Sequence, residues 1–258
     1  MVLAFIQQLE TAQILIQSAS ALAVSLQKSF VLLSFAQNEE EIRLKEIELQ
    51  KLLLKTPNLN SETKSIVRDG KTSNLAKVCE ELDASFLFIQ LTDSSSKSIR
   101  GLLNACRDLR IPYLLFKDSF AELNMTKVLL PVGFLEEELE KAQFASAFGR
   151  FCNSIIFILL ANDYGSKATM NVTKMKLLFD KFRLNYSLQK AEKDSFKVEK
   201  EAIQVAENEH AGMIIVSASR DYGLDDILFG PKEYHVVKKS PVPILLVNPR
   251  GDLYALCD

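Results

Sequence analysis

At 258 residues, with 48% hydrophobic and 25% charged residues, the chain is long enough for two domains of about 125 residues, and it is not a disordered or fibrous protein. Its 31 basic and 33 acidic residues give a formal net charge of −2, and no basic cluster indicates a nucleic acid partner. The longest apolar run, 155–161, is far shorter than the roughly 20 residues of a membrane span. We therefore expect no membrane association.

The N-terminal sequence does not have the features of a signal peptide. The four cysteines lie far apart, so the sequence predicts neither a disulfide framework nor a metal site, and we expect a reducing cytoplasm. Two of them, Cys79 and Cys106, lie on apolar helical stripes and are predicted to be buried structural thiols.

The first half of the chain alternates short apolar runs with segments of helical period. The runs predict strands at 2–6, 29–36, 64–68, 85–91 and 112–116. An apolar stripe from Leu9 to Leu26 predicts the first helix, and Asn38 followed by Glu41 predicts the cap of the second.

The second half repeats this arrangement, with predicted strands at 127–131, 154–161, 184–190, 212–218 and 243–247. Residues 78–91 are similar to 205–218, and 111–116 to 242–247. The sequence thus predicts two similar α/β domains, 1–120 and 126–250, each a Rossmann-like five-stranded parallel sheet with helices on both faces.

The segment 213–249, which ends in PVPILLV, resembles the C-terminal signature of universal stress proteins, and VLLPVGF at 128–134 is similar to their first strand. The chain therefore resembles a tandem universal stress protein. This resemblance implies a fold like that of the adenine nucleotide alpha hydrolases, in which a loop after the fourth strand binds the nucleotide phosphates.

In nucleotide-binding members this loop reads Gly, two residues, Gly, nine residues, Gly, then Ser or Thr, because small residues let backbone N–H groups approach phosphate. The corresponding positions here are Ser217, Arg220, Gly230 and Pro231. The Asp that usually follows the first strand is also replaced, by Gly133 in the second copy and by Gln7 in the first. The resemblance therefore includes a degenerate ATP-binding motif.

No other motif indicates catalysis. The serine-rich loop 92–96 of the first copy is interpreted as a solvated turn. His210 is interpreted as a residue at a helix C-terminus, and His235 as a packing or surface residue. The acidic runs at the starts of two helices are interpreted as solvated residues that complement the helix dipole; they comprise Glu136, Glu137, Glu138 and Glu140, and Asp221, Asp225 and Asp226. We expect no metal.

The hypothesis that follows is a non-enzymatic universal stress protein, acting as a stress-associated binding or regulatory module without a cofactor. The alternative is a protein that binds ATP or AMP through its second domain; a third class, an α/β enzyme of unrecognised chemistry, lacks convergent titratable groups. If a ligand binds, its site should be at the carboxyl ends of the second domain's strands, at Gly133, Ser217, Ala218, Arg220 and Gly230.

The two final strands are predicted to pair with each other, because each is an apolar strand at the edge of its own sheet. Pro112 and Pro243 suit the start of an edge strand, and universal stress proteins commonly associate through this strand. We expect an intramolecular pseudo-dimer. A homo-dimer and an unknown protein partner are further possibilities.

Overall fold

The structure, a computed structural model, describes residues 1–57, 59, 63–92, 95–219 and 232–250. The chain divides into two compact units, Met1–Leu123 and Asn124–Asp258. Each unit is an α/β domain with a parallel sheet of five strands and helices on both faces.

In the first unit, strands and helices alternate along the chain. The strands are β1 (Val2–Phe5), β2 (Phe30–Ala36), β3 (Lys64–Asp69), β4 (Phe86–Leu91) and β5 (Tyr113–Lys117). The helices are α1 (Gln13–Ser25), α2 (Glu39–Lys55), α3 (Leu75–Glu81) and α4 (Ser96–Ala105). The side chain of Asn38 caps α2 as predicted, since its oxygen accepts the Glu41 N–H at 2.9 Å.

The second unit repeats this alternation. Its strands are β6 (Lys127–Val132), β7 (Ile155–Leu160), β8 (Tyr186–Lys190), β9 (Met213–Ser217) and β10 (Ile244–Val247). Its described helices are α5 (Glu140–Phe151), α6 (Lys167–Lys181), α7 (Val198–Asn208) and α8 (Lys232–Lys239). A 3₁₀ turn, Glu136–Leu139, precedes α5.

Both sheets have the same strand order, which is β3-β2-β1-β4-β5 in the first unit and β8-β7-β6-β9-β10 in the second. The first strand of each unit therefore lies between the second and the fourth. The strand order reverses at that point, which is where open α/β sheets keep their ligand crevice, at the carboxyl ends of the strands.

The core of each unit consists of strands that are buried on both faces, as continuous apolar runs predict. Every residue of β1, β2, β4, β9 and β10 is buried. The outer strand β8 is mostly exposed. The predicted architecture, two similar domains with five parallel strands each, is confirmed.

The two thiols of the first unit are buried, as predicted. Burial raises the pKa of Cys79 to about 12 and the pKa of Cys106 well above its ordinary range. Both therefore stay protonated at neutral pH, which disfavours reactivity. Of the helices in the described ranges, none has the length and apolar character needed to cross a membrane.

Candidate ligand site at the carboxyl ends of the strands

Gly133 follows β6 at the predicted position of the ligand crevice, and both its backbone N–H and its carbonyl are hydrogen-bonded. Its N–H donates a hydrogen bond to a carboxylate oxygen of Glu138. Its carbonyl accepts one from the side-chain amide of Asn171, at 3.0 Å, and the same amide donates to the carbonyl of Leu135 at 2.9 Å. The groups of Gly133 that could contact a ligand are thus bonded within the unit.

The space beside Gly133 is occupied by Ser195. A Cβ added at Gly133 would lie 2.8 Å from the Ser195 hydroxyl oxygen and 2.9 Å from its Cβ. Ser195 is held in place because its N–H donates to Asp163 at 2.9 Å, its hydroxyl donates to the same carboxylate, and it accepts the Phe134 N–H at 2.9 Å. An Asp at position 133, as nucleotide-binding members have, would not fit here.

Lys141 and Glu138 form a buried ion pair next to the carboxyl end of β6. The ammonium of Lys141 has no exposed surface, lies 3.6 Å from the Glu138 carboxylate, and donates a hydrogen bond to the carbonyl of Pro131 at 2.6 Å. Because buried charges are costly unless they are paired and hydrogen-bonded, these contacts account for both groups.

The interpretation of the first acidic run as solvated was wrong for two of its four members. Glu138 and Glu140 are buried, whereas Glu136 is exposed. Both carboxylate oxygens of Glu140 accept the Arg250 N–H at 2.9 Å. A negative charge at any of the four positions is favoured by the dipole of the helix that follows. Which side chains face inward depends only on how the turn packs.

The carboxyl end of β9 is also bonded internally. Glu233, in the first turn of α8, is buried, and its carboxylate accepts the Ser219 N–H at 3.2 Å and the Ser219 hydroxyl at 2.8 Å. The N–H of Ala218, which lies between β9 and Ser219, donates to the carbonyl of Val247 at 2.9 Å. The Glu233 carboxylate thus lies at the N-terminus of α8, where the helix dipole favours a negative charge.

Of the predicted site residues, Gly133, Ser217 and Ala218 lie at the carboxyl ends of the adjacent strands β6 and β9. Ser217 is buried, and among the described residues its hydroxyl has no hydrogen-bond partner. Arg220, Gly230 and Pro231, and the acidic residues from Asp221 to Asp226, lie outside the described residues.

In the first unit, the side chain of Gln90 bonds the backbone after β1. Gln90 is completely buried in β4, and its amide oxygen accepts the N–H groups of Gln7 and Gln8 at 2.9 and 2.8 Å. Its amide nitrogen lies 2.8 Å from the Gln8 carbonyl and 3.0 Å from both the Thr11 hydroxyl and the Asp118 carboxylate. The Gln90 side chain therefore joins β4 to the backbone segment that follows β1.

The sequence analysis did not single out Gln90, although the similarity of 78–91 to 205–218 aligns it with Ser217 of the second copy. A crevice of about 440 Å³ remains beyond Gln7, lined by Thr72, Ser98 and Gly101 among others. It opens at the start of α4, which the Ser95 hydroxyl caps by accepting the Ser98 N–H at 3.3 Å. Ser95 of the predicted turn thus caps a helix.

The structure is similar to solved structures over nearly its whole length. A universal stress protein from Archaeoglobus fulgidus superposes with a TM-score of 0.72 at 16% identity, covering 97% of both chains. The chain has the universal stress protein fold.

Two further structures support this assignment. A protein from Pseudomonas aeruginosa that is described as a universal stress protein gives a TM-score of 0.61 at 13% identity over 99% of this chain and 95% of the other. The cytoplasmic domain of a prokaryotic cation chloride cotransporter gives 0.55 at 15% identity over 95% and 93%. No protein-family model matches the chain, and no curated protein does.

Within this fold, we expect Gln90→Ala to lower the free energy of unfolding of the first unit by about 2 to 4 kcal/mol. The substitution removes the acceptor of the Gln7 and Gln8 N–H groups and leaves a cavity at a completely buried position, and both losses destabilise the folded unit. Urea denaturation followed by circular dichroism measures the loss. The matched control is Gln189→Ala, on the exposed face of β8, which should stay within about 0.5 kcal/mol of wild type. Equal effects would contradict the role of Gln90.

Proposed function

We propose that the chain is a non-enzymatic universal stress protein, a stress-associated binding or regulatory module whose second unit is closed to nucleotide by its own side chains. One observation carries this proposal. The backbone N–H groups at the carboxyl ends of β6 and β9 already donate to internal carboxylates, those of Glu138 and Glu233. Ser219 lies at the start of the loop that binds the phosphates in nucleotide-binding members, and Gly133 stands where those members have the Asp after the first strand.

A tethered carboxylate is a strong competitor for such N–H groups. It is held beside its donors by the chain, so it loses no translational freedom on binding, whereas a free nucleotide does. Its negative charge also opposes a phosphate that approaches the same site, particularly where burial lowers the effective dielectric constant.

Two features support the absence of catalysis. Lys141 and Glu138 are paired with each other, and Asp163 binds both the N–H and the hydroxyl of Ser195. A general acid or base must be able to reach a substrate proton. These titratable groups of the second unit instead hold the backbone in place.

The alternative is a universal stress protein that binds ATP or AMP through the second unit. It is favoured by the buried Ser217 hydroxyl, which lies at the carboxyl end of β9 and has no partner among the described residues. Such binding would require Glu233 to release Ser219, so that the N–H could turn to a phosphate.

Calorimetry with Mg-ATP distinguishes the two. We expect the dissociation constant of the wild-type protein for Mg-ATP to be above about 1 mM. Several contacts of roughly 1.5 to 3 kcal/mol each are either missing or already made within the protein. The comparison variant is Glu233→Gln, which keeps the side-chain shape but removes the charge. If this carboxylate blocks the site, the variant should bind Mg-ATP about tenfold more tightly than wild type.

A micromolar dissociation constant for the wild-type protein, or a nucleotide found by mass spectrometry after denaturing purified protein, would establish the alternative. Gly133→Asp would not restore binding, because Ser195 fills the space that the new side chain needs.

The remaining parts of the proposal concern partners and location. We propose a cytoplasmic protein with no nucleic acid or membrane partner, supported by its net charge of −2. We also keep the pairing of the final strands as a proposal. Its support is that β5 and β10 are each the last strand in the order of their own sheet and carry mainly apolar residues.

A further inference from the structure

Helix α2 exposes a stripe of large apolar side chains to solvent. Leu44 is 55% exposed, Ile47 50% and Leu54 88%. Only Leu49 of this 17-residue helix is buried. The helix therefore contacts its own unit through one narrow face and leaves a second apolar face uncovered.

The spacing of these residues distinguishes them from isolated exposed hydrophobic residues, which are common on protein surfaces. Leu44 and Ile47 are three residues apart and Leu54 follows seven residues after Ile47, with Lys51 at the intervening position of the same series. This is the spacing of the a and d positions of a coiled coil, which form one seam along a helix and pack against the seam of another helix.

The charges of α2 indicate which helix would cover the stripe. The first turn carries Glu39, Glu40 and Glu41, and the last two turns carry Lys51 and Lys55. Two such helices placed antiparallel bring the acidic end of each beside the basic ends of the other, and opposite ends of their dipoles meet. A parallel pair would instead place like charges together.

We propose that α2 pairs antiparallel with α2 of a second copy of this chain. The contact is self-complementary, as a two-fold dimer requires, because the same stripe serves both partners. This proposal does not depend on whether the protein binds a nucleotide.

The expected dimer is weak. A helix of this length spans about 26 Å, and one pair of helices covers less than the roughly 1,600 Å² of a standard interface. We therefore expect a dissociation constant in the micromolar range. Sedimentation equilibrium of the full chain, from about 10 to 200 μM, should show an average mass that rises from one chain toward two.

The first test removes the apolar contact. The double variant Leu44→Glu and Leu54→Glu should sediment as a monomer throughout this range, with unchanged helical circular dichroism because both side chains are already exposed. The matched control is Leu177→Glu, an exposed leucine on α6 that is 67% exposed. It should dimerise as the wild type does.

The second test concerns the charges and the orientation. Lys51→Glu with Lys55→Glu should weaken the dimer about tenfold or more, since each acidic end then meets an acidic end. Adding Glu39→Lys and Glu40→Lys should restore it if the helices are antiparallel. Glu41 is kept because its carboxylate accepts the Gln37 N–H at 2.8 Å.

Three results would overturn the proposal. They are a wild-type protein that stays monomeric up to about 200 μM, a Leu44→Glu and Leu54→Glu variant that dimerises as tightly as wild type, and a Leu177→Glu variant that is monomeric. Failure of the four charge changes to restore a dimer would exclude the antiparallel orientation that defines the contact.

Discussion

Gly212→Ala is expected to unfold the second unit or to lower its free energy of unfolding by at least about 4 kcal/mol. A Cβ added at Gly212 would lie 1.5 Å from the carbonyl oxygen of Asn124 and 2.5 Å from its carbonyl carbon. Both are backbone atoms, so no change of rotamer can relieve the overlap. The Gly212 N–H also donates to the Lys127 carbonyl at 2.9 Å, which fixes the two segments side by side.

The measurement is urea denaturation of the purified variant, or its soluble yield if it does not fold. The matched control is Gly165→Ala in the same unit, where nothing lies within 4 Å of the added Cβ. That substitution should be neutral or slightly stabilising, because alanine loses less backbone entropy on folding. A Gly212→Ala protein as stable as this control would refute the close approach.

Lys141→Ala is expected to destabilise the second unit by about 3 to 5 kcal/mol, because it leaves the buried Glu138 carboxylate without its ammonium partner. The Pro131 carbonyl loses its donor as well. Thermal or urea unfolding followed by circular dichroism measures this loss.

Two further variants separate charge from shape. Lys141→Met with Glu138→Gln removes both charges at similar volume, and it should recover most of the stability that Lys141→Ala loses. Lys174→Ala is the surface control, since its ion pair with Glu136, at 3.4 Å, is about half exposed or more on both sides. Such pairs contribute at most about 1 kcal/mol. If Lys141→Ala behaved like Lys174→Ala, the buried pair would have no structural role.

The fold was predictable from sequence because buried strands and amphipathic helices have different periods. All ten predicted strands overlap observed ones, and the pattern was clear even at the outer strand β3 (64–68 against Lys64–Asp69). Helix α2 was harder to interpret. Its apolar residues are spread around the helix, so their period could not show that Leu49 faces inward while Ile47 faces solvent.

The positions of the candidate site residues in the fold were predictable, but their contacts were not. Gly133 and Ser217 could be located because the ends of adjacent parallel strands meet at one edge of the sheet. The inward direction of Glu138 could not be predicted, since it depends on the packing of one short turn.

The sequence around Gln90 contains a pattern that predicts its role. Gln90 is a single amide inside the apolar run FLFIQL, and a buried amide needs hydrogen-bond partners. The contacts with Gln7 and Gln8 follow from that requirement once the strand order is known.

The internal carboxylates of the second unit have a consequence for how the protein responds to its surroundings. A protein that binds a nucleotide only when folded becomes more stable as the nucleotide concentration rises. Here the acceptors are Glu138 and Glu233, which are present at the same effective concentration whatever the metabolic state. If the second unit is closed to nucleotide, as we propose, the folded population of this chain does not change with the cellular nucleotide concentration.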